Sequence, residues 1–183
     1  MLRAALVCLV ILASPARAEQ TRGPMPPSVA VCFVPEENCE SRVVDAIATA
    51  KKQILVQAYG FSDPPIIEAL AAAAGRGVEV LVILDKSNDH GKAGPERMIA
   101  ADIPVWIDVT KGIAHSKVMV IDGEITLTGS YNFTRSAQTR NAENLLTIVS
   151  RPVAQRFKAN WEERFKLAKA YEGAPGSLAP TGN

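Results

Sequence analysis

Residues 115–132 read HSKVMVIDGEITLTGSYN, and within them His115, Lys117, Asp122, Gly129, Ser130 and Asn132 stand at the spacing HxKx4Dx6GSxN. The stretch predicts a β-hairpin: residues 118–121 are apolar, Asp122-Gly123 is a favoured two-residue turn pair, and Ile125 and Leu127 alternate with Thr126 and Thr128 on the return. Such a loop sets Ile121 opposite Glu124, Lys117 opposite Thr128 and His115 opposite Ser130. Side chains two apart on a strand share a face, so His115, Lys117 and Ser130 crowd one end of the hairpin with Asn132 close beyond. A neutral imidazole, an ammonium, a hydroxyl and an amide in one place can attack and hold a tetrahedral phosphate. Asp122 has two readings, a turn residue or a participant in that chemistry.

The whole set at this spacing resembles the HKD signature of the phospholipase D superfamily. Within it, the chain is most similar to the small, single-motif bacterial endonucleases that are secreted to the periplasm and work without metal. The similarity extends through residues 32–45, 51–62, 77–88 and 141–146. The resemblance implies a phosphohistidine mechanism in which one histidine attacks phosphorus and a second protonates the leaving oxygen, after which water completes hydrolysis with the roles reversed. By position it makes His115 the nucleophile or the acid, gives Lys117, Ser130 and Asn132 to the phosphate, and matches Asp122 to the motif aspartate. Glu143, in the run Asn141-Ala142-Glu143-Asn144, matches the carboxylate that orients the histidine. The alternative for Glu143 is a solvated residue at a strand start. Orienting an imidazole through its second nitrogen would fix the tautomer.

Outward from the hairpin, residues 1–18 have the form of a secretory signal, with Arg3, an apolar run over 4–13 and Ala16-Arg17-Ala18 as a cleavage site. A retained anchor is the alternative, but the apolar run is shorter than the roughly 20 residues a spanning helix needs. Loss of Arg3 and Arg17 with the signal takes the formal charge from +1 to −1. The mature chain is thus no globally basic nucleic-acid binder, and backbone attraction must be local, with Lys86, Lys92, Lys111, Arg135 and Arg140 as candidates. In an exported protein Cys32 and Cys39 read as a disulfide, with free thiols as the alternative. A zinc site needs about four ligands, and His90 and His115 are the only histidines. Neither a Gly-rich nucleotide loop nor a cofactor box is present, so no metal or cofactor is expected.

Residues 19–28 read as a flexible leader, 29–170 as the catalytic domain and 171–183 as a disordered tail. Strands are expected at 29–34, 54–58, 78–84, 105–107 and 145–149. Helices are expected at 41–52 with Ser41 as its cap, from Pro64 to Gly75, at 95–102, as a turn at 134–139, and at 152–168 with Val153, Phe157, Trp161, Phe165 and Ala168 on one stripe. This alternation predicts an α/β layered sandwich with a mixed, largely parallel central sheet flanked by helices. His90 falls in a polar loop and lacks HxK companions, so it reads as a surface residue, and Trp106 reads as core. The expected activity is hydrolysis of DNA or RNA phosphodiesters. Phospholipid or cardiolipin is the alternative substrate, and a non-catalytic binding module is a third reading. Because the implied reaction uses two histidines and the chain has one HxK motif, a two-fold homodimer sharing one site is expected.

Overall fold

The computed structural model describes residues 27–89 and 92–172. The signal, most of the leader, the tail beyond residue 172 and His90 lie outside the described residues. One eight-stranded sheet organises the rest: β1 (Ser28–Val34), β2 (Gln53–Ala58), β3 (Glu79–Asp85), β4 (Val105–Asp108), β5 (Lys117–Ile121), β6 (Ile125–Gly129), β7 (Glu143–Val149) and β8 (Ala168–Ala170). Its spatial order is β1-β7-β6-β5-β2-β3-β4-β8. Only β2–β3 and β3–β4 pair in parallel, while every other neighbour pairs antiparallel. The expected α/β sandwich is present, but its sheet is mostly antiparallel. The βα alternation does send β1, β2, β3 and β4 in one direction. The β5–β6–β7 meander, however, is inserted between β1 and β2, and β8 closes the far edge antiparallel to β4.

Helices α1 (Cys39–Thr49), α2 (Pro64–Gly75) and α3 (Ala93–Ala100) cover one face, and α5 (Arg151–Phe165) lies on the other; α4 (Arg135–Arg140) joins β6 to β7. Strand alternation divides the core accordingly. Ile54, Val56, Val82, Leu84, Met119, Ile121 and Leu127 meet Val43, Ile47, Ile66 and Leu70 of α1 and α2, whereas Leu55, Ile83, Val118 and Val120 meet Ala154 and Trp161 of α5. Each such buried aliphatic chain contributes about 1.5–3 kcal/mol. Trp161 also donates its indole N–H to the Val56 carbonyl at 2.8 Å, tying α5 to the central strand. The α5 stripe and the central strands therefore match expectation. The helix stops at Phe165, and Ala168, expected on its last turn, opens β8 instead. Tyr171, placed in the tail from sequence, is buried, with its N–H on the Val105 carbonyl and its hydroxyl on Glu96.

Asn38, not Ser41, caps α1: its Oδ1 accepts the Ser41 N–H at 3.0 Å. Beside it, a disulfide joins Cys32 on β1 to Cys39 at the start of α1, both buried. Among the described residues, no helix is long and apolar enough to cross a membrane.

Candidate active site

The ends of β1, β2, β3 and β6 and the beginnings of β5 and β7 all lie at one edge of the sandwich, as the pairings of Ala58 with Lys117, Gly129 with Leu145 and Val34 with Glu143 require. His115, Lys117, Ser130, Asn132 and Glu143 gather at this edge. The hairpin that carries four of them is one residue out of the expected register. Ile121 pairs with Ile125 and Val118 with Thr128, so Lys117 faces Gly129, not Thr128. Asp122 and Gly123 do form the left-handed turn, and the Glu124 N–H reaches the Ile121 carbonyl. The Glu124 carbonyl, however, accepts from Ser150 at the end of β7, which draws Glu124 out of the β5–β6 ladder and lengthens the loop to three residues. Gly129 is required where it stands. With φ +148°, a Cβ there would come within 2.3 Å of the Asn144 carbonyl oxygen.

Asp122 is not in the site. It sits at the opposite end of β5, about 17 Å from Lys117 at about 3.4 Å per residue. Its carboxylate accepts three backbone N–H groups, from Lys51, Lys52 and Gln53, at 2.8–3.0 Å. Burial pushes this carboxyl up, but those hydrogen bonds and the Lys52 charge outweigh it and hold it below the usual range. The turn reading of Asp122 is the one this geometry supports: it clamps the α1–β2 connection.

At the site edge the polar groups are poorly satisfied. Lys117 is buried, 6% exposed, and its Nζ donates to the His115 carbonyl at 3.0 Å. Its other polarised neighbour is the Tyr59 ring, whose centroid lies 5.0 Å from Nζ. Burial lowers the ammonium below its ordinary value, and the nearby Glu143 charge opposes that shift. An ammonium has three donors, so this one retains capacity for a phosphate oxygen. Asn132 Oδ1 is buried with no hydrogen-bond partner among the described residues. His115 itself is exposed. Ser130 is also exposed, and its hydroxyl accepts the Asn144 N–H at 3.0 Å while remaining able to donate. Glu143 is turned toward Asn141, whose amide donates to its Oε1 at 2.8 Å.

Three residues not singled out from sequence brace this edge. Asp85, fully buried at the end of β3, accepts from Ala114 at 2.6 Å and from Ser87 at 2.9 Å. Burial alone would raise its carboxyl, but these N–H donors and Lys86 hold it below the ordinary value. Asn88 donates to the Tyr59 carbonyl at 2.6 Å, and Tyr59 packs edge-on against the His115 ring with centroids 4.6 Å apart. Their common sequence signal is position: each immediately follows a buried strand, or lies one turn beyond it, at the edge where α/β sheets place ligands. Lys86, a candidate for backbone attraction from sequence, clamps the loop before His115 through the Thr110 and Lys111 carbonyls.

Beneath the 130–133 segment lies a carboxyl pair. Asp63 is fully buried, and burial followed by the adjacent Glu40 pushes it up to about 7, against Arg135. Tyr131, also buried, is pushed up by burial and then by Asp63, Glu40 and Glu143. A cavity of about 720 Å3 opens beside this pair, lined by Glu36, Glu40, Asp63 and Arg135 among others; His115 is not part of it.

Residues 43–165 match the family described as cardiolipin synthase, PLD-like domain. A phospholipase D of Rickettsia prowazekii is 44% identical over 144 residues, covering 78% of this chain and 70% of the relative. The mitochondrial cardiolipin hydrolase of Xenopus laevis is 33% identical over 142 residues, covering 72% of this chain and 66% of its own. Among solved structures, the phospholipase D family member Nuc from Salmonella typhimurium superposes with a TM-score of 0.75 at 35% identity, over 80% of this chain and 99% of that one. The chain therefore belongs to the PLD-like domain family of the phospholipase D superfamily and is a phosphodiesterase hydrolase.

Proposed function

We propose that this phosphodiesterase is an exported endonuclease that cuts DNA or RNA through a phosphohistidine at His115. The observation that carries the reading is an exposed imidazole standing over a buried, under-partnered ammonium at an open sheet edge. A phosphodiester within a long polymer can reach such a nucleophile from the side. The near-complete overlap with Nuc and the resemblance to single-motif bacterial endonucleases support the same reading. The Cys32–Cys39 disulfide supports export, since such bonds persist in oxidising compartments.

In the first step the His115 imidazole attacks phosphorus, a P–N bond forms as the P–O bond breaks, and the leaving oxygen takes a proton from a second imidazole. Water then attacks the phosphohistidine, gives its proton to that second imidazole and returns His115 free. The Lys117 ammonium and the Asn132 amide N–H groups hold the non-bridging oxygens, with Ser130 donating alongside. Attack needs a neutral imidazole and leaving-group protonation a charged one, so a bell-shaped pH profile is expected. The nucleophile, charge and hydrogen bonds all come from the chain, so activity should survive EDTA.

The second imidazole is assigned to a second copy of the chain. Val29, Val31 and Phe33 share the face of β1 that α5 leaves bare, Phe33 being 53% exposed, and they continue onto half-buried Leu146 and Ile148 of β7. An apolar stripe ending at the catalytic edge suits an isologous contact that brings two His115 rings together. Mixing wild-type and His115→Ala chains equally, with subunit exchange verified, should leave about a quarter of the activity of the same total wild-type protein; about half would mean that each chain works alone.

A phospholipid substrate is the second reading. It is favoured by the names of the Rickettsia and Xenopus relatives and by Val109 and Ile113, both exposed on either side of Lys111 in the loop leading to His115. Incubating the purified protein with plasmid and with cardiolipin-containing liposomes, each with a His115→Ala control, separates the two. Cleavage of lipid alone would overturn the nuclease reading.

A further inference from the structure

A nucleophilic imidazole must be held in its attacking orientation, because a misplacement of about 1 Å costs on the order of a hundredfold in rate. Within this chain, no hydrogen bond from a described residue reaches either nitrogen of His115, and Glu143 Oε1 is engaged by Asn141. What does touch the ring is Tyr59. The two rings meet edge-to-face, with centroids 4.6 Å apart and planes inclined at 61°. The same Tyr59 ring lies 5.0 Å from the Lys117 ammonium. One aromatic side chain thus contacts both groups that the reaction needs in register.

Tyr59 is itself fixed on both sides of its backbone. Its N–H donates to the Ser116 carbonyl at 2.8 Å, extending the β2–β5 pairing one residue past Ala58 and Lys117, and its carbonyl accepts from the buried Asn88 amide at 2.6 Å. On the other side, Asp85 holds the Ala114 N–H and Lys86 holds the Thr110 and Lys111 carbonyls, so the segment entering His115 is braced as well. Both rings therefore stand on backbone that is clamped independently of them. Ring contact then converts this rigidity into imidazole orientation.

We propose that Tyr59 is a positioning residue: its ring, through its face and edge rather than its hydroxyl, sets the rotamer of His115 and holds the Lys117 ammonium beside it.

The proposal rests on His115 being the reacting group, and its test has one readout that does not depend on turnover. Tyr59→Phe, Tyr59→Leu and Tyr59→Met are compared with wild type on plasmid and on liposomes, and the chemical shifts of the His115 ring protons are followed by NMR, assigned with His115→Ala. Tyr59→Phe should keep kcat within about threefold. Tyr59→Leu and Tyr59→Met should each lose about ten- to a hundredfold in kcat with KM within about threefold, the penalty of lost orientation. In both, the His115 protons should lose their ring-current shift. The proposal is overturned if the aliphatic variants keep kcat within threefold, if Phe and Leu fall together, or if the His115 ring protons keep their wild-type chemical shifts in the Leu and Met variants. Should wild type cleave neither substrate, the functional reading fails, while the NMR ring-proton shifts still decide whether Tyr59 governs the His115 ring. If Leu unfolds the chain, the less disruptive Met variant carries the comparison.

Discussion

The two ends of the β5–β6 hairpin carry residues of one sequence signature and have opposite physical character. At the turn, every acceptor on Asp122 is used: three backbone N–H groups converge on a carboxylate held ionised by them. At the other end, Lys117 is desolvated and, among the described residues, donates to a single carbonyl. Saturated polar groups stabilise a fold. Unsaturated ones, held in place by their neighbours, leave capacity that a substrate can fill. Sharing a motif therefore does not mean sharing a role.

The largest expected effects lie at the unsaturated end. His115→Ala should lower phosphodiester cleavage by at least about a thousandfold, and Lys117→Met by about a hundred- to a thousandfold, as single-turnover assays would record. Thermal melts should move little for His115→Ala, because that side chain is exposed. A comparable loss of melting temperature would erase the contrast between the two ends.

Asp122→Ala should do the reverse. Removing a charged acceptor from three N–H groups should cost about 2–4 kcal/mol in denaturant unfolding, with kcat per folded molecule unchanged. Its folded-state pKa lies below the unfolded value, so this stabilisation is present at neutral pH and is lost as pH falls through the folded value. The difference between wild type and variant should therefore close in acid. A drop in kcat of the folded enzyme would return Asp122 to the chemistry.

Asp63 tests the border between the two regimes with a smaller effect. Its folded pKa of about 7 exceeds the unfolded 3.8, so its contribution is fully present below the unfolded value and is lost as pH rises through about 7. Asp63→Asn, which mimics the protonated acid, should match wild type near pH 3 and be the more stable chain near pH 8, the gap opening as pH rises from about 4 to about 7, by denaturant titration at both ends of that range. Equal stability at both would mean that burial and Glu40 do not raise this carboxyl.

Element identity was legible in the sequence because periodicity reports it directly. The buried run of β3, the Pro-opened, Gly-ended α2 and the α5 stripe all stand close to where pattern places them. Strand adjacency was not legible. The βα alternation encodes the common direction of β1 to β4 but says nothing of the three strands inserted between β1 and β2. The hairpin register slipped because a long-range bond, from Ser150 to Glu124, overrode the local preference of Asp-Gly for a two-residue loop. β8 is three residues long and takes its identity from β4, so its own sequence carries almost no signal. In the site, the HxK pair and Asn132 were found through their spacing. Tyr59, Asp85 and Asn88 come from distant segments and join the site only through tertiary contacts.

The burial of Lys117 also bears on ionic strength. A nuclease that captures its substrate with a basic surface loses affinity steeply as salt rises, because each neutralised phosphate releases counterions. Here Lys117, the cation proposed to face the phosphate, is nearly withdrawn from solvent, Lys86 is engaged by carbonyls, and the formal charge of the chain is close to zero. Buried charges are screened far less than exposed ones. The grip on the scissile phosphate should therefore tighten or loosen little between dilute buffer and sea-water salinity. Such a site gains little from long-range attraction, and works wherever phosphodiesters are brought to it.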